Sequence, residues 1–572
     1  MYLRVNIAPF DERTILEEAL PFPSQEAIEQ KFIELKGKPV PLEVTLFSND
    51  FDIPDNKRTQ LLNLVRGRPT MTLYFPIKPL QVGLARLRVC VFYKNHLLQS
   101  FIVSAYVSAH DESASEPQKA CVEMTFSSDF RRVEGFSSRG LWLGINQSED
   151  GTHTLNIKHS QGALSRNLEN KIENALEQAR KALHEVSFDI KKDEDGNIER
   201  NEDGKPKKDY RFNKENFPRA GDEAGRIKRF KEDLTKLAKV GRNLYDAVLG
   251  AQPRAEERAM GQPLIDEMKK ILGDEQLIQV ARLRNLEDIW PWALMYDLLI
   301  DGDRVKDVCL AFRGEDGRAL PYAEGVKRCK HRDPKSGRHD KTIVCPYGFW
   351  GFKHIIEQPT QPGGKKAFDD LILEVKIGAT PVLNMPLATE LIDIEPDHIK
   401  KMEELKFKRL SSLEEITNAL DPKLNPPEPH VMYFFCHGKY DSSDNPYLQV
   451  GQHESLLPSE LDELNFRWKQ SHGLVFINGC HTVELKPKDL STIMKPFVEA
   501  YTSGIIGTEI TIHSFLAREF ADKFFDRLLP NGASGQRVGQ IIKDLRLELL
   551  MKYNPLGLVY TPYCSADLCL VR

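Results

Sequence analysis

Runs of β-branched and aromatic residues recur through positions 1–160: Leu42 to Phe47, Thr70 to Phe75, Leu84 to Tyr93, Leu98 to Val107 and Cys121 to Phe126. Apolar runs of this length bounded by polar turns predict strands. Lys94-Asn95-His96 joins two of them, which predicts a hairpin with a short polar loop rather than a two-residue Asn-Gly turn. Trp142 to Ile145 and Thr152 to Ile157 flank Glu149-Asp150-Gly151 and predict a second hairpin. Several short strands joined by polar turns suggest a sandwich or a small barrel. Nothing in this region looks catalytic.

The period then changes. Leu168, Ile172, Ala175 and Ala179 fall on one face of a helix. A charged, glycine-punctuated stretch follows, from Lys191-Lys192-Asp193-Glu194-Asp195-Gly196-Asn197 to Glu202-Asp203-Gly204-Lys205, and reads as a solvated hairpin or loop. Asp193, Asp195 and Asn197 alternate as in a calcium loop. The sixth and twelfth positions, however, are Ile198 and Gly204 rather than Gly and Glu, so that reading is rejected.

From about residue 220 the pattern is mixed. Ile227, Phe230, Leu234 and Leu237 make a helical stripe, and Asp303 to Phe312 and Leu371 to Ile377 contain β-rich runs. Val431 to Cys436, Leu474 to Asn478 and Gly504 to Thr508 are continuous apolar runs of strand length. Between and after them come helical patterns: Leu457, Leu461, Leu464 and Trp468, then 514–529, then 535–551. Continuous apolar strands alternating with amphipathic helices predict an α/β fold with a mostly parallel sheet covered by helices on both faces. The expected division is a β-rich domain at 1–160, a helical and charged connector at 161–219, and a large α/β domain at 220–572.

Composition adds limits. The chain has 572 residues and a formal charge of −5, which disfavours a nucleic-acid coat and gives no reason to expect an anionic-membrane binder. No apolar run reaches the roughly 18 residues of a spanning helix. Met1-Tyr2-Leu3-Arg4 shows no basic region followed by an apolar one, so no secretory leader is expected. The nine cysteines are odd in number and sparse, which fits reduced thiols in a cytoplasmic protein, most of them acting as small buried hydrophobes.

Two of the apolar strands run into reactive side chains. One leads into Cys436-His437-Gly438, the other into Asn478-Gly479-Cys480-His481. The interval between His437 and Cys480 accommodates a loop, a helix and a parallel return strand. Neighbouring strands lie about 4.8 Å apart, and the C-terminal edge of such a sheet is where catalytic groups gather. A thiolate attacks a carbonyl carbon, and a nearby imidazole activates it or protonates the leaving amine. Gly438 and Gly479 would let the backbone turn sharply, and the N–H groups of Gly438 and Cys480 are candidate oxyanion donors. On spacing alone two readings stand: a Cys480–His437 dyad, or a buried thiol and a satisfied loop histidine. Cys436 is expected to alternate away from His437, and His481 adjoins Cys480 too closely for a relay.

Five ordered segments carry a resemblance. His430-Val-Met-Tyr-Phe-Phe-Cys-His-Gly438 resembles the strand and His-Gly of CHAT domains, the caspase-like cysteine peptidases, and Phe476-Ile-Asn-Gly-Cys-His-Thr482 resembles their nucleophile strand. Leu237 to Leu249, with Gly241-Arg-Asn-Leu-Tyr-Asp246, is similar to the helix that opens that domain. Ile289-Trp-Pro-Trp-Ala-Leu-Met-Tyr-Asp297 is similar to its Pro-Trp-Glu-Leu-Leu-Tyr-Asp segment, with Ala293 in place of Glu. Gly504 to Glu509 and the helix after it are similar to the strand and helix that follow the nucleophile. The resemblance covers roughly 220–572. It implies a caspase-haemoglobinase fold and peptide-bond hydrolysis, with Cys480 as nucleophile and His437 as acid/base, and no cofactor.

The resemblance also implies a protein substrate, with a neighbouring-gene product such as a gasdermin-like pore former as the candidate. It implies regulation in prokaryotic defence or programmed cell death, with the N-terminal domain sensing an activating ligand or protein and the 190–210 loop as a cleavage point. The alternative is a catalytically silent scaffold of the same fold. Asp441, Asp444 and Glu509 are candidates for a pocket receiving a basic P1 side chain, set against a plainer reading as loop or surface carboxylates. Cys345-Pro-Tyr-Gly-Phe-Trp-Gly-Phe352 reads as core packing around a turn. Cys329, His331, His339 and Cys345 are residue types that could bind zinc, but Cys-x-His is not the usual spacing and the loop is basic, so no metal is expected.

Overall fold

A computed structural model describes residues 1–7, 15, 39–65, 68–109, 118–125, 136–147, 152–168, 171–191, 193, 195, 197–200, 206–212, 223–250, 262–283, 289–359, 373–479, 487–529, 532 and 534–572. The chain is mixed α/β and divides into two compact units. The first contains residues 1–170, 251–286 and 358–373; the second contains 171–250, 287–357 and 374–572.

The first unit is built on an antiparallel sheet in the order Thr59–Leu64, Val40–Phe47, Gly83–Tyr93, His96–Val107, Lys119–Thr125. The two long strands are apolar on both sides, and the period of two sorts them. Val89 and Val91 join one buried cluster with Val44, Leu46 and Leu98, while Cys90 and Phe92 join another with Phe47, Leu97 and Trp142. Trp142 belongs to a second sheet, ordered Gly162–Asn167, His153–His159, Leu141–Gln147, Leu277–Leu283. Its ring lies 5.5 Å from that of Phe47 and 5.1 Å from that of Phe92, so it fastens the two sheets face to face. Within this second sheet Leu141–Gln147 pairs antiparallel with His153–His159 and parallel with Leu277–Leu283.

One turn differs from expectation. Tyr93 pairs directly with His96, leaving a two-residue loop in which Lys94 and Asn95 have φ of 51° and 58°. Two successive left-handed residues define the hairpin turn whose twist matches its strands, usually filled by Asn-Gly. Here the loop is held from outside. Asn95 donates to the Arg139 carbonyl at 3.0 Å and accepts from Lys158 Nζ at 2.7 Å.

The second unit is organised by a sheet ordered Phe407–Leu410, Leu383–Pro386, Val431–Tyr440, Leu474–Gly479, Gly504–Thr508, Tyr560–Cys564. The first five strands are mutually parallel and the last is antiparallel. Met432, Phe434, Cys436, Val475 and Ile477 pack into one layer with Ile493, Met494 and Phe497 of helix Pro487–Glu499. The alternate residues Tyr433 and Phe476 pack on the other face against Phe525 of helix Ser514–Leu528. Burial on both faces is what makes these strands continuous apolar runs.

Helix Glu223–Tyr245 presses against the segment that follows Ile289. At Gly241 a Cβ would sit 2.2 Å from the Leu294 carbonyl oxygen, and the Gly241 carbonyl accepts from Tyr296 N at 3.0 Å. Trp290, Trp292 and Trp350 stack in sequence beside it, and Tyr347, Phe349 and Phe352 are buried, so the aromatic run at 345–352 is core packing. The charged stretch after Ile190 leaves an antiparallel pair, Phe188–Ile190 with Lys208–Tyr210. No described helix is long and apolar enough to cross a membrane.

Candidate active site

His437 lies in strand Val431–Tyr440, whose register against its neighbour runs from Val431↔Leu474 to Cys436↔Gly479. It is one residue past that last pair. From there the strand exchanges partners: His437 faces Gln449 and Gly438 faces Leu448 in the antiparallel strand Pro446–Val450. The sharp turn expected at Gly438 is therefore absent, because a second strand continues the ladder through Tyr440. His437 is thus held at the C-terminal edge of the parallel sheet, and it is 5% exposed. Gly479 ends the adjacent strand. Cys480 and His481 lie outside the described residues.

A carboxylate absent from the sequence reading meets the imidazole. After strand Leu383–Pro386 the chain continues along the His437 strand, with Leu387 bridging Phe435 and Ala388 bridging Gly451. Ala388 N donates to the Phe435 carbonyl at 3.1 Å, and both Thr389 N and Thr389 Oγ1 donate to the Gly451 carbonyl, at 2.9 and 3.0 Å. These bonds deliver the next residue, Glu390, to the histidine, with Oε1 3.1 Å from His437 Nε2. The same oxygen accepts from Gln449 Nε2 at 3.3 Å, and Gln449 Nε2 reaches His453 Nδ1 at 2.6 Å. A carboxylate only accepts, so Nε2 carries a proton.

Beneath the edge runs a buried polar chain. Asn478, two residues before Cys480, donates from Nδ2 to Tyr433 Oη (3.2 Å) and to the Ala517 carbonyl (2.8 Å), and its Oδ1 accepts from Tyr560 Oη at 3.1 Å. Tyr433 Oη is 3.0 Å from His398 Nε2, and His398 Nδ1 is 2.7 Å from Asp522 Oδ1. Every member except Asp522 is buried. A network satisfied at each member fixes its side chains, and this one fixes the end of the strand that leads to Cys480.

The expected pocket acids fall in different settings. Asp441 Oδ1 accepts from Ser443 N and Asn445 N, and Oδ2 from Asn445 Nδ2, which shapes the turn before Pro446. Those bonds from Asn445 hold its carboxyl below the usual carboxylate range. Asp444, in the same turn, is exposed with φ of 61°. Glu509 is buried and accepts from Thr561 Oγ1 at 2.7 Å and Tyr563 Oη at 3.4 Å. Cys436 faces the opposite layer from Tyr433, and burial pushes its thiol well above the ordinary range, which suits an inert packing residue.

Glu390, Gln449 and His398 were not anticipated. Their one sequence signal is position: Glu390 comes shortly after an apolar strand end, where the edge rule used for His437 would also apply. That strand, Leu383–Pro386, is only four residues long.

No family model matches the chain. A protein of Vitiosangium sp. (strain GDMCC 1.1324) described as a probable protease is 30% identical over 523 residues, which covers 87% of this chain and 63% of that protein. The chain thus spans less than two thirds of the length of that relative. Two crystal structures of the Saccharomyces cerevisiae separase–securin complex are similar at TM-scores of 0.33 and 0.32, with 11% and 10% identity. They cover 75% and 76% of this chain and 30% of those chains.

Proposed function

We propose that the chain is a caspase-like cysteine peptidase of the CHAT type that cleaves a protein substrate. The observation that carries this reading is the clamp on His437: a buried imidazole at the C-terminal edge of a parallel sheet, with Nε2 bound to Glu390. Cys480 is joined to Gly479, whose register partner Cys436 is joined to His437. Consecutive Cα atoms are about 3.8 Å apart, so thiol and imidazole start from adjacent strand ends. The 30% identity to a protein named a probable protease supports the reaction class.

In this reading the Cys480 thiolate attacks the scissile carbonyl carbon and forms a tetrahedral oxyanion. His437 passes a proton to the leaving amine, the C–N bond breaks, and an acyl-thioester remains. Water, deprotonated by His437, then attacks the thioester and releases the acid and the thiol. Backbone N–H groups at Gly438 and at Cys480 are the proposed oxyanion donors. Glu390 is a positioning residue: it fixes the ring and the tautomer, as a second hydrogen bond to a catalytic imidazole does elsewhere. Asp441, Asp444 and Glu509 are the proposed contacts for a basic P1 side chain. The β-rich N-terminal region is the proposed sensor, and a gasdermin-like pore former encoded nearby is the proposed substrate, in a defence or cell-death role.

The test is proteolysis of the neighbouring-gene product by the full chain, in the presence of its activator, beside Cys480→Ala and His437→Ala. Both variants are expected to be inactive while folding normally. Cleavage that persists in both overturns the dyad.

A further inference from the structure

Away from the His437 edge, in the second unit, residues 303–348 contain little regular structure: two strands of two residues each, helix Tyr322–Arg328 and a 3-10 turn at Pro346–Gly348. Asp307–Val308 pairs parallel with Ile343–Val344, Val308 opposite Val344. Cys309 and Cys345 directly follow these strands, so the two thiols leave side by side, and Cys309 N donates to the Val344 carbonyl at 2.7 Å. Cys329 caps the C-terminus of the helix, and its Sγ is 3.5 Å from Cys309 Sγ. His339 comes from a hairpin in which it bridges Arg332. The Sγ atoms of Cys309 and Cys345 and a ring nitrogen of His339 all lie within 4.8 Å of one another. Cys329 adds a fourth donor beside them through its contact with Cys309.

The histidine is arranged as a ligand. Its Nδ1 lies 2.9 Å from the Asp340 carbonyl oxygen, so Nδ1 carries a proton and Nε2 is the nitrogen available to a metal. Nε2 is buried with no hydrogen-bond partner among the described residues, and the groups around it are thiols. A buried ring nitrogen left unpaired is costly, and a metal ion removes that cost. His331, with its ring centroid 6.1 Å from that of His339, lies outside the close group of ligand atoms.

We propose that Cys309, Cys329, His339 and Cys345 form a structural Cys3His zinc site that closes the 303–348 segment. Three thiolates and one imidazole are a structural zinc donor set, with all four positions taken by protein. A tetrahedral ion with Zn–S of about 2.3 Å sets sulfur pairs roughly 3.8 Å apart, close to the 3.5 Å of Cys309 and Cys329. Binding deprotonates three thiols and releases three protons to solvent. The bound group carries a net negative charge, which the basic loop containing Arg332 and Arg338 favours. The site also anchors the aromatic core: Cys345 N donates to Tyr296 Oη at 3.0 Å, and the next turn delivers Tyr347 and Trp350. The Cys-x-His spacing that argued against zinc omitted Cys309, which joins through strand register rather than sequence proximity.

The test is metal analysis of the full chain purified without chelator. One zinc ion per chain is expected, and a cobalt-exchanged sample should show thiolate-to-cobalt charge transfer and tetrahedral d–d bands. Cys329→Ser and His339→Gln should lose the ion or bind it far more weakly, and His331→Ala and Cys121→Ser should keep it. A fall in the melting temperature of the wild-type chain on chelation, reversed by zinc, supports the site even if a ligand variant fails to fold. Metal-free wild-type protein with no cobalt spectrum overturns the proposal. So does stoichiometric zinc in both ligand variants, or a Cys309–Cys329 disulfide in the unreduced wild type.

Discussion

Replacing Glu390 by Gln tests whether the clamp on His437 serves the chemistry. The substitution keeps the shape of the side chain and one acceptor oxygen but removes the charge, and its amide can present N–H to Nε2 and reverse the tautomer. A hydrogen bond to a charged group contributes roughly 1.5–3 kcal/mol. The Glu390 side chain is 32% exposed, so water screens it and the lower end applies. A loss of ~1.5–2 kcal/mol corresponds to a roughly 10–30-fold fall in kcat/KM. Glu390 meets the imidazole rather than the substrate, so the fall should appear in kcat with KM little changed. The assay is cleavage of the best peptide from a fluorogenic library, with melting temperature as the control for folding. Glu390→Asp, which restores the charge on a shorter arm, should recover part of the rate. The reasoning is refuted if Glu390→Gln stays within about twofold of wild type while His437→Ala is inactive, or if the loss falls wholly on KM.

Asn478→Ala would remove three buried hydrogen bonds, to Tyr433 Oη, the Ala517 carbonyl and Tyr560 Oη. At about 0.5–1.5 kcal/mol for each hydrogen bond, chemical denaturation should show a loss of roughly 2–4 kcal/mol, against about 1 kcal/mol for Tyr560→Phe. Gly451 has φ of 54°, and a Cβ there would lie 2.1 Å from Glu454 Oε2 and 3.0 Å from the Ser411 carbonyl. Gly451→Ala should therefore destabilise by at least ~1 kcal/mol and, because Gly451 fixes Thr389, reduce kcat as well. Burial pushes Asp233 up to about 6 despite the Arg211 guanidinium 2.7 Å away. A carboxyl raised in the folded state destabilises while ionised, so this penalty is present above about pH 6 and relieved as pH falls toward its ordinary value. The melting-temperature difference between Asp233→Asn and wild type should accordingly shrink between about pH 7 and about pH 4; a constant difference would contradict the assignment.

The strands at 431–436, 474–478 and 504–508 could be read from the sequence because burial on both faces leaves an unbroken apolar run. Partner exchange has no such mark. Nothing in Cys436-His437-Gly438 shows that Pro446–Val450 takes over the ladder, so a turn was expected where a strand continues. The helix expected through Trp468 ends at Glu463; Trp468 is buried for a different reason, donating from Nε1 to the Pro429 carbonyl at 2.8 Å. The same limit applies to the sites. His437 stands at the end of a legible strand, whereas Glu390 follows one too short to show periodicity. Cys309 meets Cys345 through a two-residue strand pair that no sequence pattern marks.

The central claim is that Cys480 is a nucleophile activated by His437. It is tested most directly by treating the full chain with a peptidyl electrophile and locating the label by mass spectrometry. Cys121, an exposed thiol, serves as the internal control. The reading predicts label on Cys480 far faster than on Cys121, and slowed strongly by His437→Ala. Label on Cys480 no faster than on Cys121, or unaffected by removal of the imidazole, would contradict it and leave a scaffold that cuts nothing.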